Sequence, residues 1–342
     1  MPMQPMPQTT RLLYAQLLEL CLAGQAPSSR GVSFVTKQVR GNTYWYMQVT
    51  VGARKLQQYV GPDTPDVRQA VRAEKQLTDS HEPARRDRLR LVAMLARGGT
   101  YTLPAGESRV LELLERAGLF AAGAVVVGSH AFLAYGNMLG ARWETEAART
   151  ADIDSGAVPL AIADRPVDLP QLLADSGLGF LPVPALDRKH PTTSFKIRGR
   201  ELVVDLLTPL RGTPRRRPVA LPWLGAFATP VRYLDYLLDE AQPAALLGGA
   251  GVLVNVPNPA RYALHKLALS RMRPAAWHTK AAKDIDQAKQ IIDVLLDERP
   301  HDLTSAWEGA RNMPQKFTSL VQQSVAALKP VTLREALAQH LD

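Results

Sequence analysis

A mixed α+β fold is predicted for this 342-residue chain. It has a core sheet flanked by helices, a small antiparallel sheet before it and a helical region after it. Three observations predict it. Residues Gly31 to Pro62 read as three short strands separated by Gly-containing turns. From Pro104 to Val256, strand-length apolar runs are interspersed with helix-like stretches. After Pro257-Asn258-Pro259 the pattern changes to helical spacing alone.

Composition sets the class. Hydrophobic residues make up 46% and charged residues 21%, as in a globular chain with a sizeable core. The formal net charge is +9 and the pI about 9.7, which favours an anionic partner such as nucleic acid or nucleotide. Residues 1–100 hold 3 Lys and 11 Arg against 7 Asp and Glu, a net of +7, so most of the excess lies there. Cys21 is the single cysteine, which excludes a disulfide framework and a cysteine-rich zinc site. No stretch is long and apolar enough for a membrane span, and MPMQPMPQTTR has no secretory-signal pattern. A cytoplasmic location is expected.

Leu12, Leu13, Leu17, Leu18 and Leu22 give a helix over Arg11 to Leu22, with Cys21 as a buried structural thiol. Strands follow at Ser33 to Val39, Thr43 to Thr50 and Arg54 to Val60, turning at Arg40-Gly41-Asn42 and Gly52-Ala53. Tyr44, Tyr46 and Gln48 share one face of the middle strand, and Trp45, Met47 and Val49 the other. Lys37, Arg40, Arg54 and Lys55 interleave with Tyr44, Tyr46 and Tyr59. Two readings of this sheet stand: a nucleic-acid surface of aromatics and cations, or a sheet packed by one face on the main body. Val67 to Gly99 reads as a helix, a break near Pro83 and a second helix.

Pro104 to Leu119 is a helix, and Ala124 to Val127 a strand that meets Gly128-Ser129. An apolar helix follows, then Arg149-Thr150-Ala151-Asp152-Ile153-Asp154. Val158 to Ile162 is a short apolar run, Asp168 to Ala174 a short helix with Pro170 in its first turn, and Leu178 to Val183 a strand. Thr192 to Arg198 and Glu201 to Leu207 form a hairpin turning near Gly199. Val219 to Leu224 and Leu246 to Val256 carry strand-like runs, while Val231 to Leu238 fits either strand or short helix. Arg215, Arg216 and Arg217 lie in a basic loop. Helices are expected from Pro259, over Trp277 to Leu296, and in two or three pieces from Glu298 on, broken at Pro314 and Pro330. The expected domains are 1–80, 81–256 with a helical lead-in over 81–119, and 257–342.

The chemistry concentrates in three carboxylates. Asp152 and Asp154 are two apart on a strand and share a face, where they repel unless a cation or proton lies between them or both are solvated. Asp205 interrupts the apolar run Leu202-Val203-Val204 and Leu206-Leu207, a placement that costs several kcal/mol unless the charge is paired or binds metal. Three carboxylates on two strands that could be neighbours suit a hard cation, most naturally Mg²⁺, and two metals there would hold a triphosphate. Gly128 and Ser129 supply backbone N–H groups for a phosphate; alternatively Ser129 is only an N-cap. Asp205 has Arg198 or Arg211 as alternative partners.

This order of apolar strand, Gly-Ser, helix, Asp-x-Asp strand and later strand Asp resembles the nucleotidyltransferase superfamily of the DNA polymerase beta fold, over Leu111 to Leu207. More narrowly, Thr150-Ala151-Asp152-Ile153-Asp154 resembles a motif of bacterial nucleotidyltransferase-fold proteins related to abortive-infection toxins, and that likeness continues to about Leu296. The resemblance implies transfer of NMP from an NTP such as ATP to a hydroxyl acceptor, with two Mg²⁺ ions, or Mn²⁺, on Asp152, Asp154 and Asp205. It implies a Lys-Leu step at Lys266-Leu267, with Lys266 on the nucleotide phosphates. It also implies a basic residue beside Asp at Lys283 and Asp284, with Asp284 orienting the nucleotide. On their own residues, Lys266 needs an anion if buried, and Lys280, Lys283 and Asp284 equally suit helix-surface pairs. The acceptor is expected to be tRNA or another RNA, and a toxin role would bring an antitoxin partner. The alternatives are a catalytically inactive nucleic-acid-binding protein on the same fold and an antibiotic-modifying nucleotidyltransferase.

Overall fold

The computed structural model describes residues 4–24, 32–39, 41–51, 54–143, 152–156, 167–185, 187, 189–199, 202–212 and 217–341, with 152–156 described through the backbone. Several sequence expectations lie outside these residues: Thr150-Ala151, the apolar run at 158–162, and Arg40, Gly52-Ala53, Arg215 and Arg216. The fold is mixed α+β.

A two-residue strand, β1 (Gln4–Pro5), precedes helix α1 (Gln8–Ala23). Tyr14, Leu17 and Cys21 form the buried stripe of α1, three to four residues apart. Strands β2 (Val32–Val39), β3 (Asn42–Val51) and β4 (Arg54–Pro62) make an antiparallel sheet close to the expected boundaries. Helix α2 (Pro65–Arg97) then runs unbroken through Pro83, where the sequence predicts a break. An interior proline removes one backbone hydrogen bond and crowds the preceding turn. Here both ends of the helix are anchored: Val71 is buried near the small sheet, and Leu91 and Leu95 are buried in a cluster with α1. Thr64 caps the start through its side chain, and Pro65 occupies the first turn, where no N–H is missed.

Helix α3 (Ala105–Arg116), strand β5 (Val125–Val127) and helix α4 (Gly128–Leu139) follow. Ten of the twelve α4 residues are buried, so this helix runs through the core with no solvent face. Its polar groups are matched except for His130 Nδ1, which has no hydrogen-bond partner among the described residues. His130 Nε2 lies 2.9 Å from Glu107 Oε2 on α3, Tyr135 donates to the Pro257 carbonyl, and Asn137 bonds both the N–H and the carbonyl of Tyr101. Gly136 lacks room for a side chain: a Cβ there would sit 2.7 Å from Trp143 Nε1. Strand β6 (Ala141–Arg142) pairs with β1.

The main sheet is completed by β7 (Asp152–Gly156), helix α5 (Leu169–Asp175), β8 (Phe180–Pro182), β9 (Ser194–Ile197), β10 (Val203–Pro209), β11 (Val219–Leu221) and β12 (Ala226–Val231). Its order is β11-β12-β10-β7-β5. β9 pairs with the first half of β10 on the edge whose second half takes β12, and β8 extends from β9. The expected strand at Val219 to Leu224 is shorter, because Pro222 opens a 3-10 turn, Pro222–Leu224. The ambiguous stretch after Val231 is helix α6 (Leu234–Leu238). The Leu246 to Val256 run holds β14 (Val252–Val256), which forms a hairpin with β13 (Gln242–Leu246), a strand that precedes the expected run.

Helix α7 (Pro259–Met272) starts as the sequence indicates, with Asn258 accepting from the Ala260 N–H at 2.9 Å. It is buried on almost every side. Helices α8 (His278–Glu298), α9 (Pro300–Arg311) and α10 (Gln315–Ala326) pack around it, and α11 (Val331–Ala338) closes the chain against α8 and α10. Among the described residues no helix is long and apolar enough to cross a membrane.

Candidate active site

The register of three neighbouring strands defines the site. β10 runs parallel to β7 with Asp205 directly beside Asp154 and Val203 beside Asp152. β5 runs antiparallel to β7 on its other edge, with Val127 beside Asp154. Neighbouring strands lie about 4.8 Å apart, and alternate residues of one strand about 6.6 Å apart. Side chains alternate between faces, so Asp152, Asp154 and Asp205 occupy one face of the sheet. On β10 the opposite face carries the buried Val204 and Leu206, whereas Asp205 is only half-buried. On β10 the face that carries Asp205 is therefore the less buried one, and the core lies behind it.

Asp205 is held by its strand neighbour. Ser194 sits opposite it on β9, and the Ser194 hydroxyl donates to Asp205 Oδ1. The bond fixes one carboxylate oxygen and strengthens a charge-assisted contact in a half-buried setting. Nothing in the sequence marks Ser194, since the spacing of a hairpin does not tell which residue will oppose Asp205.

The Gly-Ser turn opens beside these carboxylates. Because β5 is antiparallel to β7, the chain leaving Val127 continues toward the Asp152 end of β7. Gly128 has φ +67°, the left-handed region that a side chain disfavours, and α4 starts there at once. Val127 occupies the N-cap position and provides no side-chain hydrogen bond, so Ser129 is not the cap of this helix. Ser129 is buried within the first turn. A helix start without a side-chain cap presents N–H groups to an anion. His130, next in sequence, is fully buried and turned to Glu107, a packing role.

Helix α7 adds a second layer. The Tyr262 hydroxyl donates to the Gly128 carbonyl at 2.9 Å and lies 2.9 Å from the Gln287 side-chain oxygen of α8. One turn along α7, Lys266 places its ammonium 5.3 Å from the Tyr262 ring centre and 2.6 Å from Asp284 Oδ1. Arg273 Nε takes the other oxygen of Asp284 at 2.9 Å. Asp284 is 2% exposed, so both oxygens of a buried carboxylate are matched by cations. His265, beside Lys266, is pushed down to about 4 by burial, with the Lys266 charge adding to the effect, and is neutral at pH 7. Lys283 is half-buried on α8 next to Asp284.

The structure thus brings Asp154 beside Asp205, sets the Gly128 turn at the edge of their strands, and joins Lys266 to Asp284. Tyr262, Gln287 and Arg273 complete the arrangement. Tyr262 read in the sequence only as an apolar position of a helix; its ring is indeed buried, and the hydroxyl at its tip makes the link to Gly128. Around the register of β7 and β10 the structure sets an uncapped helix start and, through Tyr262 on α7, a link to a lysine anchored by a carboxylate.

A family model described as Nucleotidyltransferase matches residues 106–312, a span that contains every residue named in this site. Comparison with curated proteins and with solved structures gave no match.

Proposed function

The chain belongs to the nucleotidyltransferase family, and from that premise we propose that it transfers NMP from an NTP to a hydroxyl of an RNA, with tRNA as one candidate acceptor. The observation that carries the reading is the register that sets Asp205 beside Asp154 on one edge of β7 and, on its other edge, Val127 at the start of the Gly128 turn beside Asp154. The donor set suits a hard divalent ion: carboxylates at three backbone positions on one face of the sheet, one of them oriented by Ser194. Two Mg²⁺ ions held by Asp152, Asp154 and Asp205, with Mn²⁺ as a substitute, would supply the positive charge that a triphosphate requires during transfer.

The chain's own groups account for the remaining tasks. The N–H groups at Gly128 and Ser129 hold the outer phosphates. Lys266 contributes positive charge to the phosphates, and Asp284, clamped by Arg273, fixes the direction in which Lys266 extends. Lys283 adds charge on the same helix as Asp284. Asp205 draws the proton from the acceptor hydroxyl. The hydroxyl oxygen then bonds to the α-phosphorus as the bond from that phosphorus to pyrophosphate breaks. We assign the catalytic unit to residues within 81–256, a helical unit that supplies Lys266 and Asp284 to 257–342, and acceptor binding to the β2–β4 sheet within 1–80, with α2 running across the boundary at 80.

The net charge of +9 favours a polyanionic acceptor over a cationic antibiotic. The test is incubation of the purified protein with NTPs labelled at the α-phosphate and total RNA. Label should move to an RNA species only when Mg²⁺ or Mn²⁺ is present. RNA binding without label transfer from any NTP would instead identify an inactive binding protein. The toxin-like role and its antitoxin partner require one further result, growth arrest on expression that Asp152→Ala abolishes.

A further inference from the structure

We propose that the tyrosine-bearing face of the β2–β4 sheet binds an unpaired strand of RNA, with bases stacked on Tyr44, Tyr46 and Tyr59 and Lys37 at the phosphates. The inference deepens the proposed function, and rests on it for the choice of RNA.

The two faces of this sheet differ. On one face Trp45 stands opposite Gly61, and a Cβ at Gly61 would sit 3.1 Å from Val67 of α2. The Trp45 indole also donates to Asp63 Oδ1 at 2.7 Å, at the start of α2. That face is packed on the helix. On the other face Tyr46 pairs with Tyr59 across β3 and β4, and Tyr44 pairs with Lys37 across β2 and β3. Tyr59 is 53% exposed, an unusual state for a ring on a sheet. The ring centres lie 6.0 Å (Tyr44 to Tyr59) and 5.6 Å (Tyr46 to Tyr59) apart, at interplanar angles of 51° and 70°. Tyr46 and Tyr59 meet edge to face and Tyr44 is tilted to Tyr59, so the exposed Tyr59 ring offers a surface for a further flat group. The Lys37 ammonium stands 4.8 Å from the Tyr46 ring centre, a cation beside an aromatic platform.

The occupant follows from this chemistry. A flat π-system that accepts stacking from several rings and carries negative charge between its flat groups is an unpaired nucleic-acid strand. In a duplex the bases stack on each other and cannot reach the rings. Charge agrees: residues 1–100 carry a net +7. A second copy of this chain would bring the same positive charge to the face.

The test is fluorescence anisotropy of the full chain with a fluorescein-labelled short single-stranded RNA and the matching duplex, without NTP. The single strand should bind more tightly than the duplex. Tyr59→Ala, at an exposed ring whose loss leaves the fold intact, should weaken single-strand binding about five- to a hundredfold, while Tyr59→Phe should bind like the wild type. Lys37→Ala should lower the slope of log affinity against log salt by about one. Single-strand binding unchanged in Tyr59→Ala, or duplex binding as tight as that of the single strand, would overturn the proposal. So would a lack of RNA binding at low salt, which would leave the face to a protein partner. Asp205→Asn separates the two readings: loss of transfer with wild-type RNA affinity speaks to the catalytic centre, and loss of RNA affinity in Tyr59→Ala with wild-type NTP binding speaks to the sheet.

Discussion

Replacing Asp284 by Asn leaves two cations facing a neutral amide in the protein interior. Asp284 has 3% of its side chain exposed, Lys266 12% and Arg273 22%, with contacts of 2.6 and 2.9 Å to the two carboxylate oxygens. An exposed pair of this kind would contribute at most about 1 kcal/mol. Removing one partner of a buried pair strands the other charge, at a cost of about 3–5 kcal/mol. Asp284→Asn should therefore destabilise the chain by about 3 kcal/mol or more, read by urea denaturation at neutral pH. Lys266→Met alone should cost less, because Arg273 still faces Asp284. The double variant should be more stable than the sum of the two losses predicts, with a coupling of about 1–3 kcal/mol. NTP affinity should follow the same non-additive pattern if Asp284 acts by holding Lys266. A loss below about 1 kcal/mol for Asp284→Asn, with additive effects in the double variant, would refute the buried clamp.

Two further outcomes follow, one from the Tyr262 hydroxyl and one from two buried titratable groups. Tyr262→Phe removes the hydroxyl that meets the Gly128 carbonyl and Gln287, and should cost about 1–2 kcal/mol of stability together with weaker NTP binding; wild-type NTP affinity in this variant would detach Tyr262 from the phosphate turn. Stability against pH should show two opposed groups. Glu115, pushed up to about 7 by burial, keeps a proton that the unfolded chain releases near pH 4.3, so its contribution is full below that pH and is lost as pH rises through 7. His265, pushed down to about 4 by burial, does the reverse: its contribution is present above about 6.5 and is lost as pH falls through 4. Each spans about 3 kcal/mol, and they offset one another between about pH 4.5 and 6.5. Glu115→Gln still accepts from the Leu253 N–H, bonded at 2.9 Å in the wild type. It should raise stability near pH 8 and uncover the acid loss due to His265. Urea denaturation from about pH 5 to 8 checks this, and a variant no more stable than the wild type at pH 8 would contradict it.

Much of this architecture is legible in the sequence where local chemistry decides it. The apolar run at Val125 to Val127, the Gly128 turn and the isolated Asp205 in β10 all announce themselves by composition, and Asn258-Pro259 marks the start of α7. The reading stops where tertiary contacts decide. Pro83 signals a break by its own chemistry, yet anchoring at both ends keeps α2 continuous. Ser194 becomes the partner of Asp205 only through strand register, which one-dimensional spacing does not contain. Tyr262 has the pattern of a core residue and is one; its hydroxyl acquires a task because α4 begins within reach. Lys266 and Asp284, 18 residues apart, meet because α7 and α8 pack side by side. Arg273 joins them from just beyond the end of α7.

The most direct measurement compares transfer of α-labelled NMP by the wild type, Asp154→Ala and Asp205→Asn, each first shown to be folded by circular dichroism. The account predicts divalent-ion-dependent labelling by the wild type, and its loss in both variants although they still bind RNA. Transfer at the wild-type rate by either folded variant would contradict the claim that the β7–β10 carboxylates carry the chemistry.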